Sequence, residues 1–300
     1  MRALYAAYSG RLYQVRNAAG TTRDIGTLTA GGVADGVGQD AFCTGTTCVT
    51  TIVYDQSSKG NDLQYQGAGS AVGGKDTPAS ATGESLNVGG SKVYSLYINP
   101  GNSYWRNGSA SGVPTGSQPE GLYMVTSGTH VNGGCCFDYG NSETDRKADG
   151  AGAMDAINFG TSCWFSTTAP CTGAGPWVQA DLEYGLFAGG STATNPSNVP
   201  MTSKYVTAML KNNGTTQFAL KGGNAQSGAL TTLYKGALPP NYNPMKKQGA
   251  IVLGSGGDCC ATNNNQSLGT FYEGAMVAGY PTDATDSSIQ EAILSAGYGE

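Results

Sequence analysis

Short runs in which apolar and polar residues alternate with a period of two recur along the whole chain, separated by clusters of Gly, Asn, Asp and Pro. Cys48 to Tyr54, Lys92 to Ile98, Leu122 to Thr126, Lys204 to Lys211, Thr216 to Lys221, Ala250 to Leu253 and Thr270 to Val277 all read this way. Successive side chains of a strand point to opposite faces, so this alternation predicts strands with one buried and one polar side. No helix-length pattern lies between them to carry a crossover between parallel strands. The chain is therefore expected to be all-β, an antiparallel β-sandwich, with a jelly roll as the specific form. One short helix is predicted near the C-terminus, where Ser288 and Glu291 make a capping box ahead of Ile289, Ala292 and Ile293, and Gly297 would stop it. The glycine-rich stretches 67–74 and 185–190 read as loops.

Composition agrees with a turn-rich β protein: only 12% of residues are charged, and 47 are glycine. With no internal repeat and no compositional break, residues 1–300 are expected to form one domain. The net charge is −5 and the Lys and Arg are scattered, so nothing would neutralise a run of phosphates or grip an anionic membrane. Neither nucleic acid nor membrane is an expected partner; a neutral ligand fits better. No stretch approaches the roughly 18 consecutive apolar residues of a membrane span. Cysteines at 43, 48, 135, 136, 163, 171, 259 and 260 form an even, locally spaced set that reads as a disulfide framework, Cys43 with Cys48 being one such local pair. That implies an oxidising compartment and a secreted, extracellular protein, with sequons at Asn107, Asn213 and Asn265 in agreement. Met1 leads directly into Arg2 and a strand-like start without a signal peptide, so a processed or truncated form is expected.

The segment Trp177-Val-Gln-Ala-Asp-Leu-Glu-Tyr carries the clearest chemistry. Val178, Ala180 and Leu182 fall on one face, and Trp177, Gln179, Asp181 and Glu183 on the other. At about 3.3 Å per residue, Asp181 and Glu183 would lie about 6.6 Å apart along the strand. Two shielded carboxyls at that spacing raise one another's proton affinity, which suits acid and base work. The plainer reading is the solvated face of an edge strand. Trp177 and Gln179 favour the first, because an aromatic and an amide interleaved with acids can stack on and hydrogen-bond a sugar.

Residues 250–258 read as a buried strand opening into glycines, with Asp258 at a cleft rim or in a simple turn. Adjacent cysteines such as Cys135 and Cys136 would lie about 3.8 Å apart at Cα across a trans peptide, short for a disulfide. They could instead pair with distant partners, or join Cys259 and Cys260 in holding zinc, although CxxC spacing is missing. His130 is the only histidine and cannot serve both a triad and a metal site; a structural role is expected. There is no GxSxG elbow and no phosphate loop. Carboxylate chemistry remains.

These residues resemble glycoside hydrolase family 54, the α-L-arabinofuranosidases of the B type, over essentially the whole chain. The resemblance rests on Arg2-Ala-Leu-Tyr, Leu28-Thr-Ala-Gly-Gly, Tyr54-Asp-Gln-Ser, Cys135-Cys-Phe-Asp-Tyr-Gly-Asn, Asp181-Leu-Glu, Leu253-Gly-Ser-Gly-Gly-Asp and Gly269-Thr-Phe-Tyr-Glu-Gly. It implies a concanavalin-like sandwich, with Glu183 as nucleophile, Asp258 as general acid/base and Asp181 as a substrate-binding acid. It further implies a disulfide between Cys135 and Cys136 at the sugar pocket and a pocket-lining tryptophan at Trp164, with Tyr184 and Gly257 also placed against substrate. The chain departs from the family pattern at Tyr184, where asparagine is expected, and at two added pairs, Cys163-Cys171 flanking Trp164 and Cys259-Cys260 after Asp258. The family's upstream cysteine-bearing segment and its C-terminal arabinose-binding β-trefoil are expected to be absent from this chain.

The implied reaction is exo-acting release of terminal arabinofuranosyl residues from arabinan, arabinoxylan or related cell-wall glycans by double displacement. A non-catalytic lectin on the same fold and a bifunctional arabinofuranosidase/β-xylosidase are the alternatives. No metal and no cofactor are expected, since no compact calcium loop occurs and the chemistry requires none. The expected partner is an arabinose-containing polysaccharide or oligosaccharide, and a monomer is the default.

Overall fold

The computed structural model describes residues 1–65, 76–163, 171–190, 194–255 and 266–300. Strands, numbered along the chain, form two large sheets and a hairpin. The ten-stranded sheet runs β13 (Leu186–Phe187), β12 (Trp177–Asp181), β11 (Asp155–Gly160), β10 (Phe137–Ser142), β17 (Ala250–Ser255), β8 (Ser103–Asn107), β4 (Leu63–Tyr65), β3 (Cys48–Val53), β1 (Arg11–Asn17), β2 (Thr22–Gly26). The six-stranded sheet runs β16 (Thr231–Gly236), β15 (Phe218–Asn224), β14 (Val206–Asn212), β9 (Glu120–Thr126), β18 (Gly269–Ala278), β7 (Leu96–Ile98). β5 (Ser85–Val88) and β6 (Ser91–Tyr94) make the hairpin. Neighbouring strands within the sheets are antiparallel, as the alternation predicts.

Between the sheets lies one continuous apolar core, to which β12 contributes Val178 and Ala180, Leu182 follows just past its end, and the opposing strands add Val206, Ala208, Leu210, Phe218 and Leu220. Fully burying a side chain such as Phe218 stabilises the fold by about 1.5–3 kcal/mol. This apolar row fixes the register of β12, because a slip of one residue would turn the whole row to the other face.

The pattern predicts one strand over Lys92 to Ile98, but the chain breaks at Ser95. β6 pairs in the hairpin and β7 joins the edge of the six-stranded sheet. Stretch 185–190 reads as a loop and contains the short β13, while 67–74 lies outside the described residues. Among the described residues two helices are present rather than one. α1 (Gly36–Cys43), capped by the Asp35 carboxylate accepting the Gly38 N–H at 2.8 Å, carries two glycines that mask it in the sequence. α2 (Asp283–Leu294) begins at a Thr282 cap, earlier than the Ser288 capping box predicts. It is tied to the six-stranded sheet by Asp286, which meets Lys211 at 2.6 Å and Lys221 at 2.7 Å, all three nearly buried.

Candidate active site

With Val178, Ala180 and Leu182 in the core, β12 must turn Trp177, Gln179 and Asp181 to the outer face of the ten-stranded sheet. Cross-strand register extends two rows over this face. Asp181 stands opposite Ala156, which stands opposite Gly140 and then Val252. Gln179 stands opposite Asn158 and then Asp138, and Asn158 Nδ2 donates to Asp138 Oδ1 at 2.8 Å. Met154, Ala156 and Val252 form a small apolar floor separate from the main core.

Trp177 and Gln179 do not make a stacking surface, contrary to the alternation argument. Both are buried: Trp177 Nε1 donates to the Thr172 carbonyl at 2.8 Å and Gln179 Nε2 to the Ser162 carbonyl at 2.8 Å. They hold the chain on either side of a Cys163–Cys171 disulfide, whose Cys171 Sγ lies 3.7 Å from Gln179 Oε1. Aromatic and amide side chains on a sheet face serve loop anchoring as readily as sugar contact, and periodicity does not separate the two.

Glu183 also departs from the strand reading. β12 ends at Asp181, whose Oδ1 accepts the Glu183 N–H at 3.0 Å. Glu183 and Tyr184 then adopt left-handed backbone, with φ of 66° and 59°. An L-residue pays roughly 1–2 kcal/mol for that conformation, so two in succession persist only where surrounding contacts impose them. The Tyr242 hydroxyl supplies such a contact, donating to the Glu183 carbonyl at 2.9 Å, with the Tyr184 carbonyl 3.4 Å away. Burial, then the nearby carboxylates of Asp181 and Glu183, push the Tyr242 phenol up to about 12. Asp181 and Glu183 keep only 9% and 8% of their surface exposed, whereas Tyr184 keeps 56% and lies at the rim.

Cys135 and Cys136 are joined in a disulfide, and the peptide between them is cis, with Cα atoms 3.0 Å apart rather than the trans spacing assumed from sequence. Their sulfurs and a carboxylate oxygen of Asp181 all lie within 4.8 Å of one another. Sulfurs bonded to each other offer no thiolate to a metal, so zinc does not fit this group. Cys43 and Cys48 form a further disulfide at the end of α1. His130 stacks on Tyr97 at 3.7 Å and its Nδ1 lies 3.0 Å from Thr270 Oγ1; burial lowers its pKa, and it packs as a structural ring. Trp164, Gly257, Asp258 and the Cys259-Cys260 pair lie outside the described residues.

The described part of the site is thus a nearly buried carboxylate beside a disulfide, with a second carboxylate held just past the strand by an Asx-type turn and a tyrosine clamp. Residues 1–299 match the family model of the catalytic part of alpha-L-arabinofuranosidase B. The chain belongs to this family. It is 50% identical over 305 residues to a probable alpha-L-arabinofuranosidase B of Aspergillus terreus, the match covering 99% of this chain and 58% of that protein. Over 304 residues it is 49% identical to a Trichoderma koningii protein named arabinofuranosidase/β-xylosidase, covering 99% of this chain and 59% of the relative. A solved arabinofuranosidase complexed with arabinofuranosyl-α-1,2-xylobiose superposes with a TM-score of 0.92 at 45% identity, covering 99% of this chain and 61% of that one. A Glu-to-Gln variant of a family 54 α-L-arabinofuranosidase, soaked with 4-nitrophenyl α-L-arabinofuranoside, superposes at 0.91 with 44% identity and the same coverage. This family member spans just under three fifths of the length of the curated relatives it matches.

Sequence reasoning missed Tyr242 and the Asn158–Asp138 pair. Tyr242 sits between Asn241 and Asn243 in a proline-flanked turn, a pattern that announces a loop and not a contact with the turn after β12, 59 residues away. Asp138 lies within a motif the resemblance quotes, but only sheet register brings it against Asn158.

Proposed function

We propose that this chain is the catalytic unit of a retaining, exo-acting α-L-arabinofuranosidase that removes terminal arabinofuranosyl groups from arabinose-containing oligosaccharides and cell-wall glycans. The observation that carries the reading is the convergence of Asp181, the Cys135–Cys136 sulfurs and the clamped Glu183 backbone at the end of β12, in a chain of this family. Asp181, nearly buried and bonded to the Glu183 amide, suits a group that accepts hydrogen bonds from sugar hydroxyls. The disulfide offers a flat, weakly polar wall with no hydrogen to donate.

In the reaction, Glu183 attacks the anomeric carbon as the glycosidic bond breaks, and Asp258 gives its proton to the departing oxygen. A water then loses a proton to Asp258 and attacks the same carbon, releasing arabinose and regenerating the Glu183 carboxylate. Retention requires the Glu183 and Asp258 carboxyls to sit about 5–5.5 Å apart, against about 6.5–9.5 Å for inversion. The relative named arabinofuranosidase/β-xylosidase motivates a second reading in which β-xylosides are also cleaved. Disulfides at Cys43–Cys48 and Cys163–Cys171 support action outside the cell.

The test is hydrolysis of 4-nitrophenyl α-L-arabinofuranoside alongside the β-xyloside, with proton NMR of the sugar at its moment of release. Arabinose appearing first as the α-anomer fits the proposal. First appearance of the β-anomer would exclude double displacement, and an inert but folded protein that binds arabinan would be a lectin.

A further inference from the structure

The clamp at Glu183 has a role that rests on the functional reading above and extends it. Glu183 and Tyr184 are successive non-glycine residues with left-handed φ, immediately after a strand whose register is fixed by core packing. Bonds at both ends of the Glu183 backbone hold this turn. Asp181 Oδ1 accepts the Glu183 N–H at 3.0 Å, and the Tyr242 hydroxyl donates to the Glu183 carbonyl at 2.9 Å. The first bond belongs to a residue expected to touch sugar. The second comes from a distant loop, from a side chain that is 5% exposed.

We propose that Tyr242 is a positioning residue for Glu183: its hydroxyl fixes the left-handed Glu183-Tyr184 turn that aims the nucleophile at the anomeric carbon. Phenylalanine would keep the ring of Tyr242 in its buried place and remove only the hydroxyl that reaches the turn. Without the bond, the turn is free to relax toward ordinary backbone. Relaxation by one φ/ψ well would redirect the Glu183 side chain, and small displacements of a reacting group are costly in rate.

The inference is tested by steady-state kinetics of wild type, Tyr242→Phe, Tyr184→Asn and the double variant on 4-nitrophenyl α-L-arabinofuranoside. Tyr242→Phe should lower kcat about tenfold, the worth of one hydrogen bond, while KM moves less than about twofold. Asparagine enters the left-handed region more readily than tyrosine, so the turn needs the clamp less with Asn at 184. In the Tyr184→Asn background, Tyr242→Phe should therefore cost less than about threefold in kcat. A purely structural tyrosine would lower the melting temperature without this coupling. A kcat within twofold of wild type, an equal loss in both backgrounds, or a Tyr242→Phe protein that fails to fold would each overturn the proposal. A wild type inert on this substrate would instead count against the functional reading. Crystal structures then decide the clamp: altered φ at Glu183 or Tyr184 in Tyr242→Phe supports it, and unchanged values refute it.

Discussion

Removing the Lys247 ammonium should destabilise this protein far more than removing the Glu120 carboxyl group. Between the sheets, Lys247 Nζ lies 3.6 Å from Glu120 Oε1 and 3.5 Å from Asp155 Oδ2, with all three side chains wholly buried. It also donates to the Gln118 carbonyl at 2.6 Å, and Asn141 Nδ2 donates to Glu120 Oε2 at 3.0 Å. One cation thus faces two carboxyls. Burial first, then the neighbouring Asp155, raise Glu120 well above its ordinary value of 4.5, which favours its protonated form. Glu120→Gln replaces a neutral acid with a neutral amide of nearly the same shape and should cost under about 1.5 kcal/mol. Lys247→Met strands a buried carboxylate, which costs about 3–5 kcal/mol. For 300 residues the unfolding entropy is about 0.6 kcal/mol/K, so the second change lowers Tm by about 5–8 °C. The pH dependence carries a definite sign. A raised folded value contributes stability fully present below pH 4.5 and lost as pH climbs through the folded value. Over that window wild type should lose about 1.4 kcal/mol per pH unit relative to Glu120→Gln. Urea unfolding of the three proteins at several pH values from 4.5 upward measures both effects. A Glu120→Gln cost equal to that of Lys247→Met, or a pH-independent gap between wild type and Glu120→Gln, would refute the protonated-glutamate argument.

Gly269→Ala should cost about 1–3 kcal/mol, because its Cβ would fall 2.2 Å from Cγ of the buried Phe137; thermal melts check this, and an unchanged Tm would mean that the ring can retreat. Converting Cys43 and Cys48 together to alanine should cost about 2 kcal/mol, the loop-closure entropy for a sequence separation of 5, measured by urea unfolding under non-reducing conditions.

Fold class was legible because alternation is imposed by burial of one sheet face, and Val178-Ala180-Leu182 is as clear a row in the sequence as in the core. Its limits lie where a strand stops. The same alternation runs on through Glu183, but the Asp181 side chain captures the Glu183 amide and ends the strand, which no count of apolar positions reveals. Polarity along a face also fails to distinguish a wet cleft from a buried polar row, so Trp177 and Gln179 read as sugar contacts when they anchor a loop. The helix ending at Cys43 escaped notice because its two glycines weaken the propensity signal and tertiary packing supplies what propensity does not. The approach of the Cys135–Cys136 disulfide to Asp181 is a property of folding across strands, and it entered the sequence reading through family resemblance alone.

The central claim, that Glu183 and Asp258 are the two working carboxylates, is met most directly by comparing arabinoside hydrolysis by wild type, Glu183→Gln and Asp258→Asn, each verified as folded. The account predicts that both variants lose at least about a hundredfold in kcat on 4-nitrophenyl α-L-arabinofuranoside. Full activity in a folded Glu183→Gln would contradict it.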